Sequence, residues 1–142
     1  MAGRHTAERG NALISGETFR STDELLILPD GPRRAYVEVE TWFFNGHRCG
    51  LSGLAKVEGD HLVVRGPADA DRQCLLRLRL GSEGISMVED EGRSCTRLAC
   101  GARGSFASQF GRKPDFRHTT RRAIRDADRI RATDAYRAAI AP

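Results

Sequence analysis

Hydrophobic and polar residues alternate most regularly in Tyr36-Val37-Glu38-Val39-Glu40-Thr41-Trp42-Phe43. Val37, Val39, Thr41 and Phe43 share one face there, and Tyr36, Glu38, Glu40 and Trp42 share the other. A period of two is that of a β-strand with one side in the core. Asn45-Gly46 follows, a pair whose tolerance of positive φ suits a type I′ hairpin, and the return strand sets Cys49, Leu51, Gly53, Ala55 and Val57 on one face. Glu58-Gly59-Asp60 turns the chain into a short strand over His61–Arg65. Beyond a polar loop at Gly66–Arg72, Gln73–Leu80 alternates again: Cys74, Leu76, Leu78 and Leu80 face one way, Arg77 and Arg79 the other. Turns at Gly81-Ser82-Glu83-Gly84 and Asp90-Glu91-Gly92-Arg93 flank a strand over Ile85–Val88. Upstream lie two short segments, around Leu13–Phe19 and Glu24–Leu28. The second contains the continuous run Leu25-Leu26-Ile27-Leu28, stopped by the turn Pro29-Asp30-Gly31-Pro32, and reads as a buried strand.

Short strands separated by turns, with no helix over residues 13–98 to serve as a crossover, predict an antiparallel meander. The expected fold is therefore all-β, an antiparallel meander forming a small barrel, with a C-terminal α-helix. Val37, Val39, Phe43, Cys49, Leu51, Leu76, Leu78 and Leu80 are its expected core. In the tail, Pro114 breaks the chain, Thr119 or Thr120 offers a cap, and residues 121–140 are rich in Ala and Arg without Gly or Pro. Ala123, Ala127 and Ile130 fall on one helical face, with Ile124 and Ala135 near it. So thin an apolar stripe suits a helix resting on the edge of the barrel. Residues 1–12 are polar and show no period, which predicts a disordered N-terminal arm. The organisation read from sequence is thus an arm over 1–12, a disulfide-braced β domain over 13–110, and a basic linker with a C-terminal helix over 111–142.

Charge sharpens that division. The 142-residue chain carries a net +4, but residues 13–110 hold 12 basic and 14 acidic side chains, a balance of −2. Residues 111–142 hold 9 basic and 4 acidic, a balance of +5. The basicity belongs to the tail, and the β domain is slightly acidic. No stretch is long and apolar enough to span a bilayer as a helix. Met1-Ala2-Gly3-Arg4-His5 lacks the apolar run of a secretory signal. This leaves a mature or truncated form with a new start, or a cytosolic chain with reduced thiols.

The four cysteines favour the first of these. An even count in a small β-rich chain reads as a disulfide framework and so as an oxidising compartment. Cys49 and Cys74 both fall on apolar strand faces. A bridge between them would close a loop over positions 49 to 74, worth about 3 kcal/mol, and would leave Cys95 and Cys100 to close a tight local loop. Pairing of Cys49 or Cys74 with Cys95 or Cys100 is equally open, as are four reduced thiols serving as small core residues. The spacings are not those of structural zinc, and His47 is the one other plausible ligand near Cys49, so no metal is expected.

Other chemistry is sparse. Cys100-Gly101-Ala102-Arg103-Gly104-Ser105 lacks the spacing of a phosphate-binding P-loop, so no nucleotide or other cofactor is expected. His5, His47, His61 and His118 lie in no motif that would activate a nucleophile, which argues against an enzyme. Arg117, Arg121, Arg122, Arg125, Arg129 and Arg131 could meet phosphates. However, Asp126, Asp128 and Asp134 interleave with them and no aromatic platform accompanies them, so nucleic acid is not the favoured partner. A protein partner is better served by the exposed face of Tyr36, Glu38, Glu40 and Trp42, or by a loop presenting Arg103.

Phe43-Phe44-Asn45-Gly46-His47-Arg48-Cys49-Gly50, Cys74, and the run from Cys95 through Cys100-Gly101-Ala102-Arg103-Gly104-Ser105 resemble a set of poorly characterised proteobacterial envelope proteins. Those proteins in turn resemble periplasmic lysozyme-inhibitor-type domains. The resemblance covers roughly residues 35–110, and Cys-Gly-Ala-Arg-Gly-Ser is its most specific part. It implies a periplasmic or lipid-anchored small β domain, held by disulfides, that works by binding a protein. A periplasmic or secreted binding module is therefore expected, with a lysozyme or another cell-wall hydrolase as the favoured partner. The β domain is less acidic than such an inhibitor would be, and the Ser-Gly and Lys/Tyr loop pattern of the membrane-bound inhibitor of c-type lysozyme is not matched. Two other readings compete: a cytosolic β-barrel adaptor whose basic tail touches RNA or protein, and an immunity protein against a secreted toxin.

Overall fold

A computed structural model describes residues 2–43, 47–69, 72–81, 84–89, 94–100, 116–117 and 120–141. Seven strands run antiparallel to their sequence neighbours: β1 (Gly3–Ala12), β2 (Thr18–Pro29), β3 (Arg34–Trp42), β4 (Arg48–Glu58), β5 (His61–Asp69), β6 (Arg72–Gly81) and β7 (Gly84–Glu89). A short helix, α1 (Ser94–Ala99), follows. Two very short strands come next, β8 (Phe116–Arg117) and β9 (Thr120–Arg122), and then helices α2 (Ala127–Arg131) and α3 (Asp134–Ile140). β8 pairs with β7 and β9 pairs with β1, so neighbouring pieces of chain engage both edges of the meander. The sheet thereby curls toward a barrel, as the alternation of the sequence predicts.

The turns follow the residues available to make them. Gly31 takes φ 90° within the Asp30–Arg33 turn, where Asp30 donates its backbone N–H to the Arg34 carbonyl at 3.0 Å. Beyond the β3–β4 ladder, Phe43 donates its backbone N–H to the His47 carbonyl at 2.7 Å, so these strands form the expected hairpin. Its predicted tip, Asn45-Gly46, lies outside the described residues.

Alternate residues of β2 to β7 point inward and form one apolar cluster. Val37, Val39, Phe43, Cys49, Leu51, Leu76 and Leu78 are all buried there, as expected; the Leu80 side chain lies outside the described residues. A second, smaller cluster covers the outside of the sheet. Leu26 and Leu28 of β2 and Tyr36 of β3 lie beneath Ile130 of α2 and Tyr136 of α3. The continuous run Leu25-Leu26-Ile27-Leu28 now has its reason: Leu25 and Ile27 enter the barrel while Leu26 and Leu28 are covered by the tail. A strand buried on both faces loses its period of two.

Four expectations need correction. Residues 3–12, read as a disordered arm, form β1, paired with β2 from Gly3 opposite Ile27 to Ala12 opposite Thr18. The expected strand over residues 61–65 and loop over residues 66–72 are instead two longer strands, paired through Asp69 and Arg72 across a register shift between Arg65 and Ala68. A helix, α1, does interrupt the span read as helix-free. The C-terminal helix is two helices: Thr133 takes extended backbone (φ −76°, ψ 152°) and its Oγ1 accepts the Tyr136 backbone N–H, capping α3 and ending the earlier turn.

Candidate functional site

The outer face of β2, β3 and β4 carries the most concentrated exposed chemistry. Antiparallel register sets Glu24 opposite Glu40 and Leu26 opposite Glu38, with Ser52 and Gly50 of β4 next to these glutamates. The result is a groove of about 320 Å³ whose lining includes Glu24, Glu38, Glu40, Arg48 and Ser52. Directly opposed like charges destabilise a sheet unless each finds compensation. Arg4 of β1 pairs with Glu24, and Arg48 lies 3.5 Å from Glu40. Glu38 instead accepts the Tyr36 hydroxyl at 2.5 Å. Burial raises the Tyr36 phenol well above its ordinary 10.0, and the hydrogen bond to Glu38 adds to that rise, so the hydroxyl stays a donor.

The four residues assigned to this face do share it, but they do not share a role. Tyr36 is fully buried: α3 covers it, and Tyr136 meets its ring edge-on with centroids 5.2 Å apart. It is a docking point for the tail and a support for Glu38, not a contact for a partner. Glu38, Glu40 and Trp42 remain partly exposed. The Trp42 ring lies 6.0 Å from the Arg48 guanidinium, so Arg48 spans the indole and the Glu40 carboxylate. The Trp42 backbone N–H donates to Asp23 Oδ1 at 2.9 Å, extending the β2–β3 connection past the last paired residues. Arg103 lies outside the described residues. Glu24, which the sequence reading did not single out, joins the site only through register.

The cysteines are paired as Cys49–Cys100 and Cys74–Cys95. The Cys49–Cys74 and Cys95–Cys100 arrangement is excluded by placement. Register through β5 puts Cys74 level with Gly53, so Cys49 is offset by four residues, about 13 Å, and also lies two strands away. Cys95 sits on α1, and Cys100 donates its backbone N–H to the Thr96 carbonyl at 3.0 Å. Five residues of helix separate them by about 7.5 Å and point them to different sides. Both inward-facing strand cysteines therefore reach α1, which is tied to β6 near its start and to β4 just past its end. Thr96 Oγ1 adds a hydrogen bond to Glu89 of β7 at 2.8 Å. Gly66 makes room for this arrangement, since a Cβ there would stand 2.9 Å from Cys74 Sγ.

Inside the barrel a few polar groups remain. Asp23, His5 and Thr41 are buried, and Thr41 Oγ1 has no hydrogen-bond partner. Among the described residues no three of His, Cys, Asp or Glu converge closely enough to hold a metal ion. No described helix is long and apolar enough to cross a membrane. Comparison with protein-family models, curated proteins and solved structures finds no match. The functional reading rests on the site itself.

Proposed function

We propose that this protein is a non-catalytic binding module of an oxidising, extracytoplasmic compartment, the periplasm, and that its acidic outer groove captures a basic protein. A lysozyme or another cell-wall hydrolase is the partner whose chemistry fits best. The observation that carries the reading is the groove: three glutamates brought side by side by strand register, Glu24 paired with Arg4 and Glu40 near Arg48, with Glu38 held by the Tyr36 hydroxyl and free of any cation among the described residues. Two disulfides suit that compartment, and one of them anchors β4, a wall of the groove, beside Cys49. Glu38, Glu40 and Trp42 are the contact residues in this reading, joined by Glu24. Tyr36 holds Glu38 in place.

Carboxylates arranged to meet a cationic surface speed encounter and fix register. The test is inhibition of c-, g- and i-type lysozymes by the oxidised protein at micromolar concentration. The expected result is inhibition of one class, relieved by added salt and weakened about tenfold by E38Q/E40Q. If none of the three classes is slowed, the hydrolase is not the partner.

A further inference from the structure

β1 and the tail border an open cleft of about 820 Å³ whose described lining is Arg4, Arg122, Ala123, Arg125, Asp126 and Arg129. Among the described residues four arginines thus line one space with a single carboxylate, Asp126. Asp126 is occupied on both sides: Arg4 approaches Oδ1 at 3.0 Å, and Arg129 pairs with Oδ2. Arg129 and Arg4 together hold the Asp126 carboxyl below its ordinary range, so it stays charged and fixes these two side chains. Arg4 is secured further by Glu24 behind it. Arg121, which is not among the cleft's described lining, donates to the Ala2 carbonyl at 2.7 Å.

Arg122 and Arg125 are different. Both are exposed, both line the cleft, and neither has a carboxylate partner among the described residues. Four arginines against the two carboxylates of Asp126 and Glu24 leave a local excess, at Arg122 and Arg125, that an anion would neutralise. Guanidiniums present paired N–H donors that match the oxygens of a phosphate. Among the described residues no aromatic side chain lines the cleft, so they offer a nucleobase nothing to stack on. We infer that this cleft binds a phosphate group, with Arg122 and Arg125 as its direct ligands and Arg4, Asp126 and Arg129 as the frame that positions them. This site is separate from the acidic groove and does not depend on the identity of any protein partner.

The test uses the full oxidised chain at fixed ionic strength. Pyrophosphate is titrated by calorimetry, and co-sedimentation is measured with phosphatidylcholine vesicles with and without phosphatidic acid. Saturable binding of pyrophosphate alone would identify a free phosphate ligand; binding to the phosphatidic acid vesicles would identify a lipid headgroup. In either case R122A/R125A should weaken binding by roughly tenfold or more, the effect of losing charge-assisted hydrogen bonds. R20A/R137A, which removes the same net charge outside the cleft, should leave affinity unchanged. Equal losses in the two double variants, or no binding to either probe, would overturn the assignment. So would an oligouridine that binds more tightly than pyrophosphate and is indifferent to R122A/R125A.

Discussion

Two apolar clusters meet the same strand, β2, from opposite sides, and they are built on different terms. The inner one draws on six strands and Cys95 of α1, and both disulfides enter it. The outer one joins two strands to the tail through Leu26, Leu28, Tyr36, Ile130 and Tyr136. Ile124, Ala127, Ala139 and Ile140 of the tail pack against it, and the edge-on ring contact of Tyr36 with Tyr136, the ion pair of Arg4 with Asp126 and the pairing of β9 with β1 fasten it further. The inner cluster cannot open without breaking the sheet. The outer one can separate and leave the ladder intact, so the two should fail independently.

The disulfides are the place to strain that difference hardest. Loop-closure entropy assigns about 4 kcal/mol to the Cys49–Cys100 link and about 3 kcal/mol to Cys74–Cys95, in keeping with their sequence separations of 51 and 21. Urea unfolding of C49S/C100S and C74S/C95S should show both losses, the first larger; equal midpoints for variants and parent would show that the barrel does not depend on its links. Side chains come next. Leu76→Ala, in the fully buried inner cluster, should cost about 3–4 kcal/mol of global stability. Tyr136→Ala should instead leave the barrel midpoint in place while the amides of α2 and α3 lose hydrogen-exchange protection. A fall in the midpoint matching that of Leu76→Ala would merge the two clusters into one unit.

Acid should produce the smallest effect. Arg129 and Arg4 depress the folded-state carboxyl of Asp126 below its ordinary 3.8. Its contribution to tail docking is therefore present above that value and is lost as pH falls through the lower, folded one. Carbon-detected NMR titration should find Asp126 titrating below the ordinary 3.8 of an aspartate. Asp126→Asn should abolish the acid-induced loosening of α2 without moving the barrel midpoint.

The sheet was legible wherever one face of a strand meets the core and the other meets water. That condition holds for β3, β4 and β6, and their alternation located them. β1 escaped because its apolar content is slight: His5 and Ala7 stand at inward positions opposite Leu25 and Asp23, and the strand is held mostly by backbone pairing to its neighbours. α1 escaped because six residues are too few to show a helical period. The disulfide partners depended on how far apart along the barrel two inward cysteines lie, a quantity that exists only once register is set. The candidate site was half legible. Periodicity put Tyr36, Glu38, Glu40 and Trp42 on one face, but nothing local could say that the tail would cover Tyr36, or that Glu24 would arrive beside Glu40 from another strand.

The pairing of β8 with β7 and of β9 with β1 sets an order of events. During synthesis β1 is made well before β9, so the edge that pairs with β9 waits until residue 122 has followed. Until then the nascent polypeptide presents two unpaired strand edges, the state most prone to join with other chains. A chain cut short before residue 116 would lack both pairings, and such a fragment should associate with itself more readily than the full chain.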